Sequence, residues 1–357
     1  MPRTLVLEGP RDLRLVDQPS RPLNTGEIRL KSLLSGISHG TELSLYRGTS
    51  AFTDKVFDKG LRAFVEPPAG SASAYPVTLG YEMVSEVVDV GPGVTEVQVG
   101  DVVHTGTPHQ EETVLDVATS LQATYPIVVL PARERIERAL FISLAAVALQ
   151  AVHDAEIKLG DSVSVHGLGT IGLLTVQMCR LDGIQKVIGV DPDRQRRELA
   201  AGFGVTHVLD SAAERPIGLA IRDLNEGNGV DVAIDVSGSD RGLQGALSAA
   251  GLGANVVAAG FYQGGAANLR LGEEFHHNRL SLIASIGAWG APDRHAPLWN
   301  RRRVMATATN LLFTDRVSVA GLLDRTFPFD RAPEAYKWLD GDPQGAVKVA
   351  LDYSEPE

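Results

Sequence analysis

The segment Ser162-Val163-Ser164-Val165-His166-Gly167-Leu168-Gly169-Thr170-Ile171-Gly172 spaces three glycines as Gly-x-Gly-x-x-Gly, directly after a short apolar strand and ahead of a helical pattern. That spacing suits a pyrophosphate. Gly167 allows a tight turn, Gly169 lets backbone N–H groups approach the anion at the helix N-terminus, and Gly172 lets the helix pack close on the strand. The expected cofactor contacts are therefore Gly167, Leu168, Gly169, Thr170, Ile171 and Gly172. A purely structural glycine turn is the competing reading. A second strand, Lys186-Val187-Ile188-Gly189-Val190, ends in Asp191, 19 residues beyond Gly172, which is the spacing at which a carboxylate meets the adenosine ribose. A carboxylate accepts from a free 2′-hydroxyl and repels a 2′-phosphate, so NAD(H) is expected over NADP(H). Arg194, Arg196 and Arg197 follow. Arg194 is the expected cation near the adenine, and a solvated first turn of a surface helix is the alternative for all three. Val236-Ser237-Gly238 and Ala258-Ala259-Gly260-Phe261-Tyr262 end two later strands, so Ser237, Gly260 and Phe261 should flank the nicotinamide. Packing is the alternative for Phe261 and Tyr262. His166, just before the glycine loop, is expected to face the cofactor edge.

The elements that must position these residues alternate. Beyond Asp191 the pattern predicts a helix over 193–202, a strand over 206–209, a helix over 216–226 and a strand over 230–236. A helix over 240–250 and strands over 253–259 and 280–286 follow. Strands separated by helices imply parallel βαβ units with right-handed crossovers. Residues 1 to about 125 read instead as strands and turns rather than helices, for example 27–31, 83–90 and 101–104. Ala51 to Pro76 reads as a long loop, and Arg133 to His153 carries apolar residues at helical spacing. A helix containing Arg301-Arg302-Arg303 and a helix start at Pro333 follow, and the last strand, Ala346 to Leu351, is expected to return to the β-rich first part.

A chain of 357 residues exceeds one typical core, so two domains are expected. The net charge of −11 argues against nucleic-acid or anionic-membrane partners, which require a basic patch. With no long apolar span and no basic-then-apolar leader, a soluble cytoplasmic protein is expected. The single cysteine, Cys179, falls in an apolar run and reads as a core residue. It excludes an intrachain disulfide and a multi-cysteine zinc site.

Three further segments carry a resemblance. Gly80-Tyr81-Glu82 with Ser85-Glu86-Val87-Val88-Asp89-Val90-Gly91-Pro92-Gly93 and Val99-Gly100-Asp101-Val102-Val103, then Leu159-Gly160-Asp161-Ser162-Val163, then Phe329 through Leu339, together resemble the medium-chain dehydrogenase/reductase superfamily over nearly the whole length. The Ser35–Glu42 stretch and Phe275–Leu280 look most similar to the subgroup of bacteriochlorophyllide a 3-hydroxyethyl dehydrogenases. The resemblance implies an α/β fold, a Rossmann doubly wound parallel sheet plus a β-rich GroES-like catalytic domain. It assigns 1–126 to the first part of the catalytic domain, 127–290 to the Rossmann domain and 291–357 to a segment returning to the catalytic domain.

The departures from that family fall on its metal. Where zinc-dependent members hold the catalytic ion, this chain reads Ser35-Gly36-Ile37-Ser38-His39-Gly40-Thr41-Glu42, then Gly80-Tyr81-Glu82, then Ile142-Ser143-Leu144. Ser38 or His39 replaces the cysteine, depending on a one-residue gap, while Tyr81 replaces the histidine and Ser143 the third ligand. Neutral serine and tyrosine are poor zinc ligands, so neither catalytic nor structural zinc is expected. Hydride transfer to a ketone then needs a protein proton donor, and general acid catalysis supplies roughly 10²- to 10⁴-fold. The candidates are His39, whose imidazole titrates near neutrality, Tyr81 and the relay hydroxyl Thr41. Each has an alternative reading as a polar residue filling the vacated space. Glu82 is expected to pair with an arginine, and His104 and His109 to lie at the surface or in caps, with a metal site built from His39, Glu82 and His104 or His109 as the alternative.

The resulting expectation is a zinc-independent NAD(H)-dependent oxidoreductase, interconverting a secondary alcohol and a ketone on a polyol, cyclitol, sugar or similar small molecule. A zinc-free quinone or enone reductase and a non-catalytic NAD(H) sensor are the alternatives. A homodimer or homotetramer is expected through the strand near 280–286.

Overall fold

The computed structural model describes residues 1–67, 74–287, 296, 298–341 and 345–354. The chain divides into two compact units. The first comprises Met1–Ser143, Leu323–Pro343 and Lys348–Glu357, and the second Leu144–Leu322 with Gln344–Val347. These divisions differ from 126 and 290. The chain up to Leu322 stays with the second unit because Gln177 both donates to the Ser318 carbonyl (2.9 Å) and accepts from its N–H (2.7 Å).

The first unit is β-rich. Its seven-stranded sheet runs in the order Val128–Val129, Val102–Thr105, Met83–Val90, Glu27–Ile37, Lys348–Asp352 and Leu323–Pro328, with Glu112–Asp116 also paired to Glu27–Ile37. Glu27–Ile37 is the organising strand: its first half buries Ile28 and Leu30 in one apolar cluster, and beyond the register shift between Ser32 and Leu34 it buries Ile37 in another. Its antiparallel registers set Ser35 opposite Met83 and, on the other side, opposite Leu351. The last strand is therefore part of this sheet, as its sequence implied. A smaller sheet joins Arg3–Gly9 to Asp12–Asp17 and Val77–Thr78.

One helix in this unit contradicts the expectation of strands and turns alone. His39–Arg47 is helical, stopped by Gly48 at φ 74°, with Glu42, Leu43 and Tyr46 on its buried face. The start signal was present in Ser38 with Glu42 four residues on, and the stop signal in Gly48. A second, short helix spans Val117–Leu121. The expected loop from Ala51 to Pro76 contains a hairpin, Val56–Asp58 paired with Ala63–Val65, while residues 68–73 of it lie outside the described residues.

The second unit is a six-stranded parallel sheet in the order His207–Leu209, Lys186–Val190, Ser162–His166, Val230–Asp235, Ala250–Ala258 and Ser281–Ala284. Strand order reverses about Ser162–His166, which is the dinucleotide-binding arrangement. Registers place His166 beside both Val190 and Asp235, and Asp235 beside Ala258. The carboxyl ends of four strands are thus level, and the glycine loop, Asp191, Ser237 and Gly260 all leave the sheet at one edge. The helices Thr170–Leu181, Arg194–Ala201, Ile217–Leu224 and Asp240–Ala249 alternate with the strands as predicted. The single helix expected over Arg133–His153 is broken into Arg133–Arg135, Ile136–Ala139 and Ile142–Asp154. Among the described residues no single helix is long and apolar enough to cross a membrane.

Candidate active site

In the second unit the glycines do what their spacing requires. Gly167 has φ 91°, and a Cβ on it would lie 2.8 Å from Ser237 Cα, while a Cβ on Gly172 would run into the Gly167 carbonyl. Gly169 caps the helix Thr170–Leu181 and faces open space, with no protein atom within 4 Å of where its Cβ would be. Its backbone is thereby open to an anion at a helix N-terminus.

The neighbouring loop residues divide their groups. Leu168 buries its side chain, and its N–H donates to Asp191 Oδ2 at 2.7 Å. Thr170 donates its hydroxyl to the Val347 carbonyl at 2.7 Å, and Ile171 is half-buried in the first helical turn. Asp191, only 3% exposed, also accepts from Asp193 N–H at 2.8 Å through Oδ1. Each of its oxygens retains acceptor capacity for a ribose hydroxyl.

The three arginines do not share one fate. Arg194 is exposed and paired with Glu198. The solvated reading fails for Arg196, which donates to the Ala346 carbonyl, and for Arg197, which donates to the Asp191 carbonyl and pairs with Asp210, because both are drawn inward by acceptors.

Ser237, Gly260 and Tyr262 are organised by a residue that sequence reasoning missed. Asp235, fully buried, accepts from Ser237 Oγ at 2.8 Å and from Tyr262 O–H at 2.5 Å, and its backbone carbonyl accepts from Gly260 N–H at 3.1 Å. Burial pushes its carboxyl up to about 6, against the lowering effect of the Tyr262 and Ser237 bonds. Gly260 has no room for a side chain, since a Cβ would lie 2.7 Å from Gly238 Cα, and Phe261 is partly exposed. His166 does not face the cofactor edge. Strand alternation turns it into the interior, bonded to Ser164 Oγ at 3.1 Å and lying under Gly245, and burial pushes its imidazole down to about 3.

In the first unit the segments that resemble metal-binding positions converge on hydroxyls. Tyr81 donates to Ser38 Oγ at 2.5 Å and is also hydrogen-bonded by Thr41, so Ser38 rather than His39 is the partner of Tyr81 across these segments. The Tyr81 ring stacks on Tyr125 with centroids 5.0 Å apart and planes 15° from parallel. Desolvation, with Tyr125 and Glu82 adding to it, raises the Tyr81 phenol well above its usual range, so it stays protonated at neutral pH. Ser143 bonds His104 Nε2 at 3.0 Å. His39 opens the helix that carries Thr41.

Two expectations are corrected here. Glu82 pairs with Lys348, not with an arginine, in a fully buried contact that needs Gly36, because a Cβ there would lie 2.7 Å from Lys348 Cε. Burial pushes the Glu82 carboxyl up to about 7, opposed by Lys348 and reinforced by Glu42, and its Oε1 has no hydrogen-bond partner among the described residues. His104 and His109 are buried, not superficial: Ser143 Oγ bonds His104 Nε2, and Ser35 Oγ and the Glu42 carboxylate take the two ring nitrogens of His109.

The fold family implies a zinc ion, and these residues do not fit one. Ser38, Tyr81 and Ser143 offer neutral oxygens, and the two carboxylates of these segments are already engaged, Glu82 by Lys348 and Glu42 by His109 and Tyr336. Among the described residues no group of three or more His, Cys, Asp or Glu is arranged to hold a metal ion.

Comparison with known proteins agrees with this architecture. Residues 27–124 match the family of alcohol dehydrogenase GroES-like domains, and residues 170–296 match the zinc-binding dehydrogenase family. The chain belongs to the zinc-type medium-chain dehydrogenase/reductase superfamily of alcohol dehydrogenases. D-guloside 3-dehydrogenase of Shigella flexneri is 28% identical over 355 residues, covering 98% of this chain and 100% of that protein. Among solved structures, 2R,3R-butanediol dehydrogenase from Bacillus subtilis gives a TM-score of 0.78 at 21% identity, over 99% of this chain and 100% of that one. A short chain alcohol dehydrogenase from Escherichia coli CFT073, complexed with NADH, gives 0.77 at 19% identity, over 99% of each chain. At these identities the structural likeness establishes the fold.

Proposed function

We propose that this chain is a zinc-independent, NAD(H)-dependent oxidoreductase that interconverts a secondary alcohol and a ketone on a sugar, polyol or cyclitol. NAD(H), when bound, supplies or accepts the hydride. The loop Gly167–Gly172 would hold its pyrophosphate and Asp191 its adenosine ribose, with Ser237, Gly260 and Phe261 beside the nicotinamide and Arg194 at the adenine rim. The Asp191 carboxylate disfavours a 2′-phosphate, which also weighs against the NADPH-linked enone reductases.

The observation that carries the reading is the Tyr81–Ser38 hydroxyl pair, at 2.5 Å, in the segments where relatives hold a metal ion. In reduction, the Tyr81 O–H bond breaks as an O–H bond forms on the substrate oxygen, and the phenolate left behind recovers a proton from water. Burial strengthens the phenol's hold on its proton, so the transfer is driven by the still more basic oxygen that hydride addition creates on the substrate. The sugar or polyol class is supported by the full-length similarity to D-guloside 3-dehydrogenase, a relative whose own name specifies oxidation at a ring carbon.

Pairing of two copies is proposed through Ser281–Ala284, which ends the six-stranded sheet and exposes Leu282 and Ile286. Fluorescence titration with NADH and NADPH, followed by 340 nm assays with glycosides, polyols, ketones and enones, tests the activity. Tight NADH binding with turnover of a glycoside or its keto form is expected. Enone reduction alone, or binding without turnover on every compound, would overturn it.

A further inference from the structure

Ser38 occupies the N-cap of the helix His39–Arg47, yet its side chain makes no capping hydrogen bond. An N-cap serine ordinarily spends its oxygen on an N–H of the first turn, an interaction worth about 1 kcal/mol. Here that oxygen accepts from Tyr81 instead. Something else must then fix the backbone at Ser38, and it is Glu42, whose Oε1 accepts the Ser38 N–H at 2.7 Å while its own N–H returns to the Ser38 carbonyl at 2.9 Å.

Glu42 is itself gripped from three sides. Its Oε2 takes His109 Nε2 at 3.0 Å and the Tyr336 hydroxyl, and His109 Nδ1 meets Ser35 Oγ at 2.7 Å, with Tyr353 O–H 2.9 Å from that same Ser35 oxygen. The Nε2 proton of His109 faces the acceptor-only carboxylate, and the Tyr336 hydroxyl donates to the same oxygen. Glu42, His109, Ser35 and Tyr336 are buried. Burial alone would raise the Glu42 carboxyl, and His109 together with these bonds holds it below the usual range instead.

We propose that Glu42 is a positioning residue for proton delivery, holding the N-cap backbone so that Ser38 is released from capping and its hydroxyl serves Tyr81. Ser38 accepts from the phenol at rest. Once Tyr81 has passed its proton to the substrate oxygen, the Ser38 hydroxyl rotates and donates to the phenolate until water restores the proton. This role rests on the function proposed above.

The experiment places 3-fluorotyrosine at position 81 of the full-length protein and records its ¹⁹F resonance in the wild type, Ser38→Ala, Glu42→Gln and Tyr336→Phe. Glu42→Gln keeps the shape but cannot accept from Ser38 N–H on one side and from His109 and Tyr336 on the other, because one of its two terminal atoms is an NH2 donor; Tyr336→Phe removes one donor only and guards against failure of the first variant to fold. Both are expected to move the resonance in the direction of Ser38→Ala, Tyr336→Phe by less. A resonance unmoved in folded Glu42→Gln or, should that variant not fold, in Tyr336→Phe, would overturn the proposal. The spectrum needs no turnover, so it stands apart from any failure of the proposed activity. With an active substrate in hand, Glu42→Gln should lower kcat at least about tenfold with NADH affinity unchanged, and should cost nothing further in a Tyr81→Phe background. Additive losses would mean that Glu42 acts elsewhere.

Discussion

The backbone N–H of Leu168, inside the glycine loop, donates to the carboxylate of Asp191 at 2.7 Å. The residue that the spacing marks as the ribose acceptor therefore also pins the loop that would cradle the pyrophosphate. Asp191→Ala should weaken NADH binding by at least about tenfold, the equivalent of 1.4 kcal/mol, and NADPH binding by much less. Asp191→Asn, which can still accept from Leu168, should fall between. Fluorescence titrations with both cofactors check this, and equal losses for the two would contradict the ribose assignment.

Tyr81 is the expected proton donor. Tyr81→Phe keeps the stacking on Tyr125 but removes the hydroxyl, and turnover should drop roughly 10²- to 10⁴-fold with NADH affinity within about twofold of the wild type. His39→Ala should leave most of the rate. The reverse pattern, read from steady-state kcat for the two variants, would move the donor role to His39.

The buried Glu82–Lys348 pair depends on Gly36. Gly36→Ala puts a methyl group 2.7 Å from Lys348 Cε and should cost about 1–3 kcal/mol through displacement of the pair. Lys348→Met leaves a buried carboxylate without its cation and should cost more, about 3–5 kcal/mol. Urea midpoints of the two variants rank these losses, and a Lys348→Met protein as stable as the wild type would contradict the pairing.

His166 carries a pH-dependent penalty. Its imidazole sits at about 3 when folded against 6.5 in the unfolded chain, so below pH 6.5 the unfolded state binds the extra proton. Stability from this group is complete above 6.5 and is lost as pH falls toward 3, with a slope of up to about 1.4 kcal/mol per pH unit. Glu82 and Asp235 act oppositely. Their contribution is complete below the unfolded carboxyl values and is lost as pH rises through about 7 and about 6. His166→Asn removes only the acid-side loss, so its stability relative to wild type should improve between pH 7 and pH 5 in urea unfolding. A parallel offset at both pH values would mean that the imidazole takes up its proton alike in the folded and unfolded chain.

The glycine turn and the strand ending before Asp191 were legible because each signal was local: Gly167 and Gly172 are constrained by their own turn, and the strand by its apolar run. The helix at His39 was harder to see. Its stabilising partners, His109 and Tyr336, lie 67 and 294 residues from Glu42, and no local apolar period announces a helix that buries a glutamate. The same distance hid Lys348 as the partner of Glu82, 266 residues away. Asp235 was passed over for another reason. It sits at the end of a buried strand, where its type alone does not tell a capping carboxylate from one that organises two loops.

The most direct test of the central claim is turnover of the full-length protein after exhaustive chelation, with NADH and the keto form of a glycoside substrate, alongside elemental analysis. An unchanged rate is expected, in protein holding far less than one zinc per chain. Activity that disappears on chelation and returns with added zinc would contradict it.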